Sequence, residues 1–322
     1  MILENKTILI TGGVGSFGSK FVEMVLAKYN PKAIRVFDIS EEKEVAMERK
    51  FKDDRLRFFI GDVRDFDRLK MAMRGCDIVV HTAALKHITV CEYNPIEAVK
   101  TNIEGAINIV RAALSEGVAK VIALSTDKAV YPVNLYGASK MVMEKIFIQG
   151  NTYSAGQNIK FACTRYGNVV GSSGSVVPLF REQAKTGKIT ITDATMTRFW
   201  ITLEQGVEFV IKSIERMEGG EIFIPKIPSM KIMDLAEVIA PDIKKEIIGI
   251  RPGEKLHESL ITQEEARHTK EYDDYFIIEP EFSFWKKSNG IEGGKLLPDG
   301  FQYTSDKNTQ WLTKEDLKKI IE

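Results

Sequence analysis

The 322 residues are 44% hydrophobic and 28% charged, enough apolar chain for one large core or two lobes, and nothing in this composition points to disorder. Lys plus Arg and Asp plus Glu number 45 each, which excludes a global electrostatic footprint for nucleic acid or an anionic membrane. The first strand pattern begins near Lys6, which leaves no room for a signal peptide, and no apolar run approaches the roughly 20 residues needed to cross a bilayer. Cys76, Cys91 and Cys163 lack CxxC spacing, so the expectation is a soluble cytoplasmic protein with buried thiols, no disulfide and no zinc site.

Lys6 to Thr11 reads as a strand and runs directly into Gly12-Gly13-Val14-Gly15-Ser16-Phe17-Gly18, after which Phe21, Val22, Val25 and Leu26 keep helical spacing. Strand, glycine turn and helix in that order bring a pyrophosphate close to the backbone and onto a helix N-terminus. Gly12, Gly15, Ser16, Phe17 and Gly18 are therefore candidate dinucleotide contacts, with a plain tight turn as the competing account. The second strand, Ala33 to Phe37, ends in Asp38, an acid that suits a ribose 2′-hydroxyl and repels a 2′-phosphate, which favours NAD over NADP. Ser40, Lys43 and Arg49 stand nearby and are able to receive a phosphate instead. A third strand, Leu56 to Ile60, leads to Asp62 and Val63 at the expected adenine end, with Asp65 placed to cap the next helix.

The fourth strand, Asp77 to His81, is followed by Thr82-Ala83-Ala84-Leu85-Lys86-His87. Ala83 and Ala84 are small enough for close passage of a cofactor, and Lys86 offers a cation to cofactor or substrate. His87 has no second histidine at metal spacing, so a structural, hydrogen-bonded role is expected and no metal site. Pro95 opens a helix expected to run through Leu114, and Asn102 inside it is costly by propensity, so it should bond something specific such as the cofactor.

The chemistry concentrates after the next strand, Lys120 to Leu124. A loop closed by Pro132 and Asn134 gives way to a helix that places Tyr136 and Lys140 on one face. A phenol titrates near 10, so Tyr136 becomes a base only beside positive charge, which Lys140 and an oxidised nicotinamide would supply. Thr126 would orient the same substrate hydroxyl. Asp127 and Lys128 are superfluous for hydride transfer, but an acid and a base are what water elimination requires; a plain loop salt bridge is the competing account.

Beyond the strand Lys160 to Tyr166 the alternation stops, at Gly171-Ser172-Ser173-Gly174-Ser175, a run expected to be flexible. A second lobe starts there. Within it, Leu203 to Met217 should return as a helix onto the sheet, Glu221 to Pro225 is a strand, Lys231 to Ala240 and Trp311 to Ile320 are helices, and Ile250 to Lys255 is a charged turn. The fold class is α/β: a Rossmann doubly wound parallel sheet over residues 1–170, with a smaller substrate lobe over 171–322.

Thr126-Asp127-Lys128 with Tyr136-x-x-x-Lys140 resembles the extended short-chain dehydrogenase/reductase superfamily, and more closely the soluble inverting UDP-N-acetylglucosamine 4,6-dehydratases that open pseudaminic acid biosynthesis. Ala84 to His87, Arg165 to Gly171, Met196 to Thr202, Ile224 to Met230 and Gly249 to Glu258 extend the resemblance over nearly the whole chain. It implies oxidation at carbon 4, elimination of water across carbons 5 and 6, return of hydride to carbon 6 and reprotonation of carbon 5 from the opposite face. By the same resemblance Tyr136 and Lys140 carry the oxidation, Asp127 protonates the leaving water and Lys128 handles the carbon 5 proton. Lys86, Asn168, Arg198, Arg251 and Glu254 would hold UDP-N-acetylglucosamine, and arginine is the right chemistry for a diphosphate.

The resemblance further implies a homo-oligomer joined through helices of the first lobe. Members commonly carry NADP, with Ser-Arg-Asp at the end of the second strand; this chain has Asp38-Ile39-Ser40-Glu41 and departs from that pattern. The rival enzymatic readings are a capsule-type dehydratase that also epimerises carbon 5, a retaining dehydratase and a sugar-nucleotide 4-epimerase, the last having no need of Asp127 and Lys128. A non-catalytic NAD(P)-sensing regulatory protein is the rival from another class, and it would not require an intact Tyr136 and Lys140 pair.

Overall fold

The computed structural model describes residues 1–154, 156–171, 175–282, 284–285 and 291–321, so the core of the run expected to be flexible, 172–174, lies outside the described residues. The first half alternates as the apolar periodicity requires: β1 (Thr7–Thr11), α1 (Ser16–Lys28), β2 (Ala33–Asp38), α2 (Glu41–Phe51), β3 (Leu56–Ile60), α3 (Phe66–Met73) and β4 (Ile78–His81). It continues with α4 (Ile88–Tyr93), α5 (Pro95–Val99), α6 (Gly105–Glu116), β5 (Lys120–Thr126), α7 (Leu135–Gly150) and β6 (Lys160–Tyr166). Every residue of β1 and β4 is buried, as expected of central strands covered on both faces.

The second half is more broken. Its elements are β7 (Asn168–Val169), α8 (Val176–Lys185), β8 (Lys188–Ile191), β9 (Thr197–Ile201), α9 (Leu203–Arg216), β10 (Ile222–Pro225), β11 (Ser229–Lys231), α10 (Ile232–Ile239) and β12 (Lys244–Ile247). There follow β13 (Ser259–Ile261), α11 (Gln263–Ala266), β14 (Thr269–Glu271), β15 (Tyr275–Ile278), β16 (Lys295–Leu296), β17 (Tyr303–Thr304) and α12 (Lys314–Ile321).

Seven strands pair in parallel in the order β3-β2-β1-β4-β5-β6-β10, and β15, β14 and β16 continue the same sheet antiparallel. The order reverses between β1 and β4, which opens a crevice at the carboxyl ends of the strands. As the sequence predicts, α9 returns to the sheet, packing on α1, β5 and β6. The second half returns further than that expectation, since β10, β14, β15 and β16 all join the large sheet. A separate apolar cluster, including Phe180, Ile189, Ile191, Trp200, Met230, Leu235 and Leu317, underlies β8, β9, α8 and α10.

The long helix expected from Pro95 to Leu114 is interrupted by a π-helical turn at Lys100–Glu104. Asn102 sits in that turn, fully buried, where its amide accepts from Leu85 N (2.8 Å) and donates to Leu85 O (2.9 Å) and Ser139 Oγ (2.9 Å). It pins the loop after β4 to α7. Among the described residues no helix is long and apolar enough to cross a membrane, and none group to hold a metal ion; the three cysteines are free and buried.

Candidate active site

Two glycines explain the turn after β1. Gly12 has φ +65°, and a Cβ there would meet Thr82 Oγ1 at 2.8 Å and Ala83 N at 2.9 Å, so β1 and the loop after β4 approach too closely for any side chain. Gly15 is the residue before α1; no side chain caps that helix, and a Cβ on Gly15 would meet only Gly12 O at 3.1 Å. Backbone donors over open space at a helix N-terminus fit a dinucleotide pyrophosphate. Asp38 accepts from Val14 N (3.3 Å) and Ser40 N (3.1 Å), which ties the end of β2 to the glycine turn. At the third strand Asp62 pairs with Arg64 (2.8 Å to Nε), while Val63 is buried against Gly105.

Across the switch point β5 runs two residues further than the apolar pattern indicates, to Thr126, and a 3-10 turn covers Asp127–Ala129. Thr126 Oγ1 donates to Asp127 Oδ1 (2.9 Å) and also accepts from Lys128 N (3.3 Å), so one hydroxyl fixes the turn and the acid. Asp127 is fully buried; Lys128 Nζ reaches its Oδ1 at 3.0 Å, while its Oδ2 has no partner. Burial pushes the Asp127 carboxyl up, and the anions of Asp127 and Glu258 hold Lys128 above the ordinary lysine range.

Asn134 caps α7 by accepting from Gly137 N (2.8 Å) and donates to Gly253 O (2.8 Å), joining the helix to the distant charged turn. Gly137 is dictated by packing, because a Cβ would fall 2.1 Å from Lys128 O. Tyr136 lies two residues past Asn134, in the first turn of this helix. Burial pushes its phenol up to about 12, with Lys128 as the first opposing influence and the Thr126 hydroxyl also favouring the anion. Lys140 is buried and donates to Met143 Sδ (3.1 Å); desolvation brings it down to about 8. Lys140 is expected from the sequence to be the cation acting on Tyr136, and Lys128 also bears on that phenol. Tyr131, between the 3-10 turn and α7, adopts φ +45° and donates its hydroxyl to Glu264 (2.7 Å).

A cavity of about 240 Å³ opens between Lys128 and the second apolar cluster. Asn168, Arg198, Arg251 and Glu254 all line it, so the structure brings together four of the five expected sugar-nucleotide residues; Lys86 is not in that lining. Asn168 Oδ1 is buried without a partner. Glu254 accepts from Thr192 Oγ1 (3.0 Å). Arg198 spends its donors on the backbone, reaching Thr197 O (2.7 Å), Leu256 O (3.1 Å) and Lys255 O (3.0 Å), and so shapes the wall.

Glu258, Lys255, Thr192 and Asn134 were not singled out from the sequence as site residues. Glu258 is buried and faces Lys128 (3.4 Å), Lys255 (3.5 Å) and Arg198 (3.7 Å). No local spacing announces such a cluster, since its members come from β9, the turn after β5 and the segment before β13. His87 is exposed, at the start of α4.

Residues 8–280 match the family described as Polysaccharide biosynthesis protein. The chain is 49% identical, over 99% of its length and 98% of the relative's, to a UDP-N-acetylglucosamine 4,6-dehydratase (inverting) of Campylobacter jejuni subsp. jejuni serotype O:2. It is 41% identical, over 98% of its length and 95% of the relative's, to a UDP-glucose 4-epimerase of Rickettsia conorii. The crystal structure of Pen from Bacillus thuringiensis superposes with a TM-score of 0.91 at 39% identity, covering 100% of this chain and 98% of that one. A dTDP-glucose 4,6-dehydratase of Streptomyces venezuelae, solved with NAD and TYD bound, shares the fold at a TM-score of 0.69 and 24% identity, covering 78% of this chain and 86% of that one.

Proposed function

The chain belongs to the polysaccharide biosynthesis protein family, and from that premise we propose that it is a 5-inverting UDP-N-acetylglucosamine 4,6-dehydratase. The product is UDP-2-acetamido-2,6-dideoxy-β-L-arabino-hex-4-ulose, a precursor suited to pseudaminic acid biosynthesis. The observation that carries the reading is the buried Asp127–Lys128 pair beside Thr126 and Tyr136 at the edge of the cavity. Oxidation alone has no use for it. A 4-epimerase therefore accounts for the site less well, although such enzymes occur among the relatives.

Gly12, Gly15, Ser16, Phe17 and Gly18 would hold the pyrophosphate of a nicotinamide dinucleotide, and Asp38 at the ribose favours NAD. That cofactor, when bound, supplies the hydride acceptor for carbon 4 and the donor for carbon 6. The remaining chemistry belongs to side chains. Thr126 and Tyr136 orient the carbon 4 hydroxyl, and Tyr136 takes its proton once positive charge lowers a phenol that burial holds near 12. Asp127, raised by burial, gives its proton to the carbon 6 hydroxyl as that group leaves. Lys128, in its neutral form once Asp127 is protonated and no longer adds its anion, takes the carbon 5 proton, and the inverted product requires a solvent-derived proton on the opposite face. Asn168, Arg251 and Glu254 bind the UDP-sugar, Arg198 shapes their wall, and Lys86 approaches from the loop after β4.

Residues 1–170 are accordingly the dinucleotide lobe and 171–322 mainly the sugar-nucleotide lobe. The enzyme works in the cytoplasm, where UDP-sugars are made available. It self-associates through the helices after β4, a reading supported by Tyr93 and Ile96, which are 88% and 67% exposed beside an apolar groove at Pro95, Ile96 and Val99. Incubation with UDP-N-acetylglucosamine in deuterated water, read by NMR, should give a 4-keto-6-deoxy sugar with deuterium at an inverted carbon 5. Absence of that keto sugar refutes the proposal; retained configuration refutes the inversion alone.

A further inference from the structure

The helix that follows β2 carries a second acid for which the reaction has no use. Glu44 lies in the first turn of α2, its N–H donating to Ser40 O at 3.1 Å. Its side chain turns inward: the residue is 3% exposed, and Oε1 is buried with no hydrogen-bond partner. An unpartnered buried carboxylate oxygen is expensive, and a helix of this kind gains nothing from it that an apolar residue would not give better. Perturbed acids retained at such a cost concentrate at functional sites.

The charged groups facing Glu44 are Asp38 from β2 and Arg68 from α3. Arg68 is already committed, donating to Ile60 O at 2.8 Å with its guanidinium 5.4 Å from the centre of the Phe59 ring. Asp38 is the acid bound to the glycine turn through Val14 N. Glu44 therefore stands behind the ribose end of the dinucleotide crevice, and the turn from Asp38 to Glu41 offers no cation to offset it. The cation of α2 nearest in sequence, Lys43, is exposed.

We propose that Glu44 is a specificity-determining residue that, together with Asp38, selects the dinucleotide lacking a 2′-phosphate. Added to the charge of Asp38, an ionised Glu44 would oppose a dianionic phosphate on the ribose, while a ribose hydroxyl is indifferent to it. Burial and the Asp38 charge push Glu44 up to about 7. The discrimination therefore has a pH signature, weak when Glu44 is protonated and strong when it is ionised.

The inference rests on the dinucleotide reading above, and calorimetric binding of NAD and of NADP to the purified full chain at pH 6.5 and pH 8.5 separates the two. NAD should bind more tightly at both values, and its advantage should widen by about tenfold between them. Glu44→Gln should keep its NAD affinity and lose most of that widening, and Glu44→Asp, which keeps the charge, should retain it. A 2′-phosphate has its own second ionisation near pH 6, but it is common to all three proteins and cancels in the comparison. Equal widening in Glu44→Gln, or tighter NADP than NAD in the unaltered chain, overturns the assignment. If the unaltered chain binds neither nucleotide, the dinucleotide reading falls and this inference falls with it.

Discussion

On the sheet side of the cavity, Thr126, Asp127, Lys128 and Tyr136 come from one continuous stretch, braced by backbone close to them in sequence. On the far side, Thr192, Arg198, Arg251, Glu254 and Glu258 come from two stretches, one around the start of β9 and one between β12 and β13, with α9, β10, β11 and α10 between them. They are held by bonds that span the chain, such as Thr192 to Glu254 and Arg198 to Lys255 O. The first wall is positioned by secondary structure and the second by tertiary hydrogen bonds. Damage to the first should therefore fall on chemistry at constant structure, and damage to the second on binding and on how the walls meet.

The largest effect is expected where chemistry and wall coincide. Lys128→Ala should lower dehydration by about 10³-fold, within the range usual for proton-transfer groups, while bound nucleotide is retained. The product yield by NMR and the nucleotide content by absorbance check both halves of that statement. Near-normal turnover would make the Asp127–Lys128 contact an ordinary loop ion pair.

Next in size is the tie that joins β6 and α7 to α11. Arg165 on β6 bonds Glu144 of α7 at 2.9 and 2.7 Å and Glu265 of α11 at 3.0 and 2.8 Å, and both Arg165 and Glu144 are buried. Arg165→Leu leaves Glu144 uncompensated and should cost about 3 to 5 kcal/mol in denaturant unfolding. A loss below 1 kcal/mol would show that the two regions are stabilised independently.

Glu44 gives a smaller effect inside the sheet half alone. Burial and the Asp38 charge push its carboxyl up to about 7 in the fold from about 4.3 in an unfolded chain, so stability falls as pH rises between those values and the whole penalty is present above 7. Glu44→Gln should thus gain about 2 kcal/mol at pH 8 relative to its effect at pH 4.5, read from thermal melts. The same change at both pH values would contradict the raised carboxyl.

Smallest is the join itself. Asn134→Ala removes the α7 cap and the bond to Gly253 O, and should cost about 1 kcal/mol. The sharper observable is kinetic: KM for the UDP-sugar should rise more than kcat falls, because the turn carrying Arg251 and Glu254 loosens. A fall confined to kcat would place Asn134 with the chemistry instead.

The legibility of the sequence follows the same division. The strands from β1 to β6, the glycine turn and the helix carrying Tyr136 are readable because apolar period and glycine placement are local signals. The π-helical turn is not, since the bonds that accompany it run from Asn102 to Leu85 and Ser139, partners outside the helix. Glu258 is invisible for a similar reason: its carboxylate matters through Lys128, Lys255 and Arg198, and no spacing in the chain encodes that meeting. Glu44 reads as a surface acid in a charged helix, and only the fold turns it inward. Asn168, Arg198, Arg251 and Glu254 were reachable through long motif resemblance alone, a different kind of information from physical pattern.

The antiparallel extension of the sheet bears on synthesis. β10 must wait to pair with β15, and the segment from Arg251 to Glu258 is followed by β13, which pairs with β17 near the end of the described residues. While the ribosome is still making those strands, the glycine turn, the Asp127–Lys128 turn and α7 have already been made. Under the proposed function, the residues assigned to oxidation thus leave the ribosome before the wall assigned to sugar recognition can close, and the last segments to emerge end that interval.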